Sequence, residues 1–202
     1  MANENKMMTG KFRVSYPNVL KPQRKERGDE GKPDKYSISM LFSKQLLKDD
    51  PQEMALFKRL TAEIKRVGAA AFPDGDCKRI QPMQDGDTHP KKKDIEAYQG
   101  HYFCDASTMF EPECFDNNRE DILSEKEFYP GCYARARVHV YSWSNNGGGV
   151  SVGFDAVQKL SDGEALGDGG SAKDDFEDDY AGGGSSATET ADTGSEADDL
   201  LL

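Results

Sequence analysis

No two cysteines stand in CxxC spacing. Cys77, Cys104, Cys114 and Cys132 are scattered, which argues against a redox pair or a zinc knuckle and reads as reduced packing residues. Histidine is scarce too, and no HxE or DxD cluster lies near the basic strands, so a two-metal nuclease has little to work with and no cofactor is expected. Nowhere is there an apolar run long enough for a membrane span. The opening MANENKMMTG is polar, unlike a secretory or transit segment. These absences predict a cytoplasmic protein without a membrane partner.

Positive charge is missing from one end only. The 202 residues carry a formal net charge of -11, which would repel nucleic acid, yet positions 161–202 hold 13 acidic residues against the single basic Lys173. Positions 1–160 keep 24 acidic and 25 basic residues, a net of +1. The acidity belongs to a stretch rich in Gly, Ser, Asp and Glu, with too few apolar side chains to offset the entropy of ordering it. Two parts are therefore expected: a globular domain over 1–160 and a disordered acidic tail over 161–202. The tail ends Asp198, Asp199, Leu200, Leu201, Leu202, an apolar terminus suited to a partner protein.

The globular part alternates in the manner of strands. KFRVSY (11–16) puts Phe12, Val14 and Tyr16 on one side; KYSISMLFS (35–43) does the same with Tyr36, Ile38, Met40 and Phe42. A charged loop separates them. Asp50, Pro51 and Glu53 then open a helix as cap, first-turn proline and capping-box acid, followed by Met54, Phe57, Leu60, Ile64, Val67 and Ala71 at helical spacing. Residues 76–100 read as loop, with Lys91, Lys92 and Lys93 either solvated or meeting phosphate. Strand chemistry returns at HYFCDASTMF (101–110), and an acidic stretch, 111–127, reads as loop or short helix. The last strands, on either side of NNGGG (145–149), form a hairpin. About five strands and one helix, mostly antiparallel, suit a small barrel.

Within YARARVHVYSWS (133–144), Ala134, Ala136, Val138 and Val140 share one face, and Tyr133, Arg135, Arg137, His139, Tyr141 and Trp143 share the other. Either face could be the inner one. Rings outward is the preferred arrangement, because Arg135 and Arg137 would be costly to bury. An exposed row of rings and guanidiniums matches single-stranded nucleic acid, whose bases stack on aromatics and whose phosphates attract cations.

The succession KFRVSYPNVLKP, KYSISMLFSK, YPGCYARARVHVYSW, GGGVSVGFDAVQKLSDGEALGDG, DDFEDDY and DDLLL resembles the bacteriophage single-stranded DNA-binding proteins of OB-fold type. The resemblance covers most of 10–170 and is most specific in the terminal hairpin through VQKLSDGEALG. It implies a mainly β, OB-fold-like five-stranded antiparallel barrel that binds single-stranded DNA without sequence preference in phage replication or recombination. It also implies an acidic tail that contacts phage or host replication proteins such as polymerase or helicase. Parity and chemistry select Lys11, Arg13, Tyr36, Tyr102, Arg135, Arg137, Tyr141 and Trp143 as DNA contacts. Arg137, Tyr141 and Trp143 are the foremost; Tyr16, on an inward phase, is weaker. A flexible tail of this length spans about 35 Å end to end, enough to compete with DNA for a basic groove. A DNA-mimicking or virion-interaction protein acting through the tail is the other reading, and it requires a barrel that ignores DNA.

Overall fold

The computed structural model describes residues 6–23, 31, 33–73 and 82–167. The tail beyond Gly167, including Asp198, Asp199 and Leu200 to Leu202, lies outside the described residues, as does Cys77.

The strands are β1 (Lys6–Met8), β2 (Phe12–Asn18), β3 (Tyr36–Ser43), β4 (Met83–Asp85), β5 (His101–Thr108), β6 (Glu113–Phe115), β7 (Tyr133–Trp143) and β8 (Gly149–Ser161). Five of them close a barrel in the order β2, β3, β5, β8, β7 and back to β2. A closed ring of five strands cannot alternate direction throughout, so one seam must be parallel. That seam is β5 against β8, at Ala106 and Val152, and the remaining seams are antiparallel, as a mostly antiparallel barrel requires. The hairpin is the longest pairing, from Tyr133 opposite Ser161 to Trp143 opposite Gly149. β1 continues β2 past a bend at Thr9, whose hydroxyl accepts the Ala136 N–H at 2.9 Å, and lies beside Arg137 to His139.

Parity decides what lies inside. Ala134, Ala136, Val138 and Val140 are buried, with Phe12 and Val14 of β2, Ile38, Met40 and Phe42 of β3, and Val150, Val152 and Phe154 of β8. The alanines are small because their neighbours are large: Phe12 faces Ala134 across β2 and β7. The rings of β7 therefore point outward, settling the choice that the sequence left open.

Helix α2 (Pro51–Ala71) covers the barrel with Leu60 and Ile64 buried and Met54, Phe57 and Val67 packed beside them, as its periodicity predicts. A short helix α1 (Lys44–Asp49), capped by Ser43, precedes it. The Asp50 carboxylate accepts the N–H groups of Gln52 and Glu53. Glu53 does not complete a capping box. Its carboxylate reaches across to accept the Lys11 N–H at 2.8 Å, fixing the helix start to the β1–β2 bend.

Three segments read as loop or tail have packed structure. β4 pairs with β5, and the connection after it folds over the outside of β3 and β5, where Tyr98 joins Leu41 and Phe103 in a small second core. Within the acidic stretch, β6 runs parallel to β8. β8 itself continues through Ser161, and the chain to Gly167 stays on the barrel: Tyr129 donates to Asp162 at 3.1 Å, and the Leu166 N–H bonds to the Pro130 carbonyl at 2.8 Å. The globular part thus extends past the expected boundary at 160. Cys104, Cys114 and Cys132 are free and buried; burial pushes the Cys114 thiol up to about 12 and raises the other two as well.

Candidate nucleic-acid interface

The outer face of the β7–β8 hairpin carries the aromatic row, and the reason it stays outside is found on β8. Opposite Trp143, Tyr141 and His139 stand Gly149, Ser151 and Gly153, a track of small residues onto which the rings fold. A methyl group on Gly149 would lie 2.8 Å from the Trp143 ring, and one on Gly153 would lie 2.4 Å from the His139 ring. The indole N–H of Trp143 donates to the Ser151 hydroxyl at 3.0 Å, fixing the ring flat over the track. His139 and Tyr141 follow at 5.7 Å between ring centroids, tilted by 31°. Trp143 is 41% exposed and Tyr141 38%, so each presents ring surface to solvent. The signal for this floor was present in GVSVG, whose small residues alternate in phase with the rings, but sequence reasoning missed it.

Towards the barrel the face becomes basic. Arg135 donates to the neutral Gln158 side chain at 2.8 Å, and among the described residues no carboxylate pairs with it. Lys11 lies over the Tyr133 ring, 4.4 Å from its centroid, also without an ion-pair partner among the described residues. Arg137 is differently placed. It donates to Asp155 at 2.7 Å and lies 3.7 Å from Glu113, while Lys6 closes on the same Asp155. Burial works to raise the Asp155 pKa, but the hydrogen bonds from Arg137 and Lys6 outweigh it and hold the carboxyl below its ordinary value. Arg137 therefore enters any anion contact already neutralised. The His139 pKa is depressed by burial, against an opposing pull from Asp155 and with a smaller depression from Lys6.

Arg13 is beside Tyr133 in register, but its guanidinium is bonded to the Glu164 carbonyl at 2.8 Å under the chain segment that leaves β8. Tyr36 and Tyr102, selected with these residues as DNA contacts, lie apart from the hairpin face. Both stand in the inward phase of their strands and pack on the main core. Tyr102 lies opposite Phe42, stacks on Phe57 of α2 at 5.3 Å and carries Lys44 over its ring at 4.8 Å. Tyr36 shares its phase with Ile38, Met40 and Phe42, which the alternation already indicated.

Tyr16 is corrected in the opposite sense. The β2–β3 register shifts between Ser15 and Asn18, Tyr16 adopts φ 45°, and its ring turns out to 58% exposure.

Proteins of known family and structure resemble this closed barrel and its outer hairpin. A family model described as Enterobacter phage Enc34, ssDNA-binding protein, matches residues 5–191. This chain belongs to that family. Another phage protein, p50 of Acyrthosiphon pisum secondary endosymbiont phage 1, is 27% identical over 185 residues, covering 86% of this chain and 93% of its own length. Among solved structures, the single-stranded DNA-binding protein from bacteriophage Enc34 in complex with ssDNA superposes with TM-score 0.67 at 22% identity, over 82% of this chain and 91% of that one. The single-stranded DNA-binding protein gp2.5 encoded by bacteriophage T7 gives TM-score 0.51 at 12% identity, over 91% and 98%. At these identities the likeness is one of fold. Membership of the Enc34 family rests on the sequence match, which runs through the barrel and most of the acidic tail.

Proposed function

We propose that this chain is a binding protein, not an enzyme, that holds single-stranded DNA without sequence preference on the outer face of the β7–β8 hairpin. Trp143 and Tyr141 stack bases; Arg135 and Lys11 meet phosphates. The observation that carries the reading is the exposed Trp143 ring held against Gly149 and bonded to Ser151, with the exposed Tyr141 ring next to it on the same face. Stacking on an aromatic ring contributes roughly 1–3 kcal/mol per base and tolerates any base, because every base has a π face. The family and the DNA-bound Enc34 relative support the choice of ligand. Arg137 serves the hairpin first, because it is already paired with Asp155 and Glu113. Arg13 reaches DNA only when it leaves Glu164, and Tyr36 and Tyr102 act through the core beneath.

The setting we propose is phage DNA replication or recombination in the host cytoplasm. The acidic tail competes with DNA for the basic face and offers Asp198, Asp199 and Leu200 to Leu202 to a replication protein such as a polymerase or helicase. Titration of the full chain with a labelled oligothymidylate at two salt concentrations tests the central reading. Log K is expected to fall with log salt by about 0.7 per phosphate neutralised. The Trp143→Ala, Tyr141→Ala double variant is expected to weaken binding at least tenfold while remaining folded by circular dichroism. A folded double variant with unchanged affinity would sink the assignment.

A further inference from the structure

We infer that Tyr16, with Lys92 behind it, forms a second base-stacking subsite for single-stranded DNA, separated from the hairpin rings by the segment Asp162–Leu166. This inference rests on the proposed DNA-binding function and extends it to a part of the surface that the hairpin does not reach.

Tyr16 combines three features that packing alone does not demand. Its backbone is left-handed, at φ 45°, a region costly for a bulky residue. The next residue is Pro17, which further restricts the residue before it to extended conformations. Strain of this kind persists only where surrounding structure enforces it, and it gathers at ligand sites. Here it lifts out of the core a ring that simple alternation would bury beside Phe12 and Val14.

What supports the ring is a cation. The Lys92 ammonium lies 4.7 Å from the Tyr16 ring centroid and 4.4 Å from that of Tyr98, and among the described residues no carboxylate pairs with it. The connection holding it is anchored: Tyr98 is buried against Leu41 and Phe103, and its hydroxyl lies 3.4 Å from that of Ser15. Lys91 and Lys93 flank it, both exposed. An aromatic ring open to solvent, with one ammonium group at it and two more exposed lysines next to that one in the chain, matches one nucleotide, the base on the ring and the phosphates on the lysines. An acidic peptide would engage the lysines but leave the strained ring without a purpose.

The position relative to the hairpin follows from register. β2 runs antiparallel to β7, with Arg13 opposite Tyr133. Tyr16 therefore lies beyond the Tyr133 end of β7, while Trp143 lies at the other end. At about 3.3 Å per residue, Trp143 and Tyr133 are about 33 Å apart along β7, and Tyr16 is about 10 Å past Arg13. Between the two sites the chain leaving β8 crosses the face: the Glu164 carbonyl holds Arg13, and Leu166 joins the Leu41 core. A short strand is held by the hairpin alone; a longer one passes this crossing and adds the Tyr16 subsite.

The test uses the full chain and two oligothymidylates, of about 5 and about 20 nucleotides, bracketing typical OB-fold site sizes. Tyr16→Asn removes the ring and suits a left-handed backbone. It is expected to weaken the longer oligonucleotide about fivefold or more and leave the shorter one unchanged. Equal effects on both lengths, or no effect on either, would overturn the inference. A second variant reads contact directly: Tyr16→Trp in a Trp143→Phe background, where oligothymidylate of the longer length is expected to quench the indole emission. Binding without quenching would overturn the inference while sparing the hairpin assignment. Failure of the unaltered chain to bind either length would instead remove the underlying function.

Discussion

At Gly149 a single hydrogen in place of a methyl group decides where an indole sits. The Trp143 ring lies on the glycine and is bonded to Ser151 on the next outward position, so the ring is ordered before any ligand arrives. Preorganisation of this kind removes part of the entropy cost of binding. Gly149→Ala brings a methyl group to 2.8 Å from the ring and must tilt it away. We expect the variant to bind oligothymidylate about three- to tenfold more weakly, with blue- or red-shifted Trp143 emission in the free protein, since the stacking term is roughly 1–3 kcal/mol. Unaltered emission together with unaltered affinity would show that the glycine floor plays no part. The same scale explains why Trp143 was legible in the sequence and Gly149 was not. A lone tryptophan on a basic strand declares its chemistry, whereas a glycine's importance depends on the strand that lies across from it.

At the scale of the element, β7 shows how one strand serves two faces with different requirements. Its inner residues are small because Phe12 and Phe154 fill the barrel beside them, and its outer residues are held by β8 through Gln158, Asp155 and Ser151. His139 belongs to this sheet and His101 to β5, and both have pKa values depressed chiefly by burial. A histidine depressed in the folded state takes up its proton more readily when unfolded. As pH falls below about 6.5, the unfolded chain gains protons that the folded chain does not, so stability declines. Urea unfolding is expected to show a midpoint that drops between about pH 7.5 and about pH 5.5, with the drop reduced in the His101→Gln, His139→Gln double variant. An identical pH slope in wild type and variant would disprove the linkage. The strand alternation that located this element was plain from sequence, as was the amphipathic helix. The β4–β5 pairing and the Tyr98 core were not, because a three-residue strand and a single buried ring carry no periodicity.

For the whole molecule, the point at which the barrel ends governs how the acidic stretch can be studied. Asp162 to Leu166 lie on the barrel through Tyr129, Arg13 and Pro130, and the compact unit extends to Gly167. Removal of residues 168–202 is expected to leave the thermal unfolding temperature unchanged and to tighten DNA binding at low salt, as loss of a competing polyanion requires. Removal from residue 162 onward is expected to lower that temperature as well, because it strips Leu166 from the Leu41 cluster and Glu164 from Arg13. Unchanged or weaker affinity after the shorter deletion would argue against tail competition. Equal melting temperatures for the two deletions would argue against a structural role for Asp162 to Leu166.

What the amino-acid sequence determined by itself was whatever repeats along the chain or depends on composition. It determined the parity of β7, the stripe of α2, the split between a nearly neutral globular part and an acidic end, and a set of motifs specific enough to indicate a phage DNA-binding family. The tertiary structure alone decided which chemistry those residues were free to perform. It packed Tyr36 and Tyr102, partly buried, against the core, neutralised Arg137 with Asp155 and Glu113, placed Glu164 on Arg13, and turned Tyr16 outward at a shift in register. The physical reason is the same in each case. Side-chain direction follows local periodicity, but availability is set by partners that lie distant in sequence and meet only when the barrel closes.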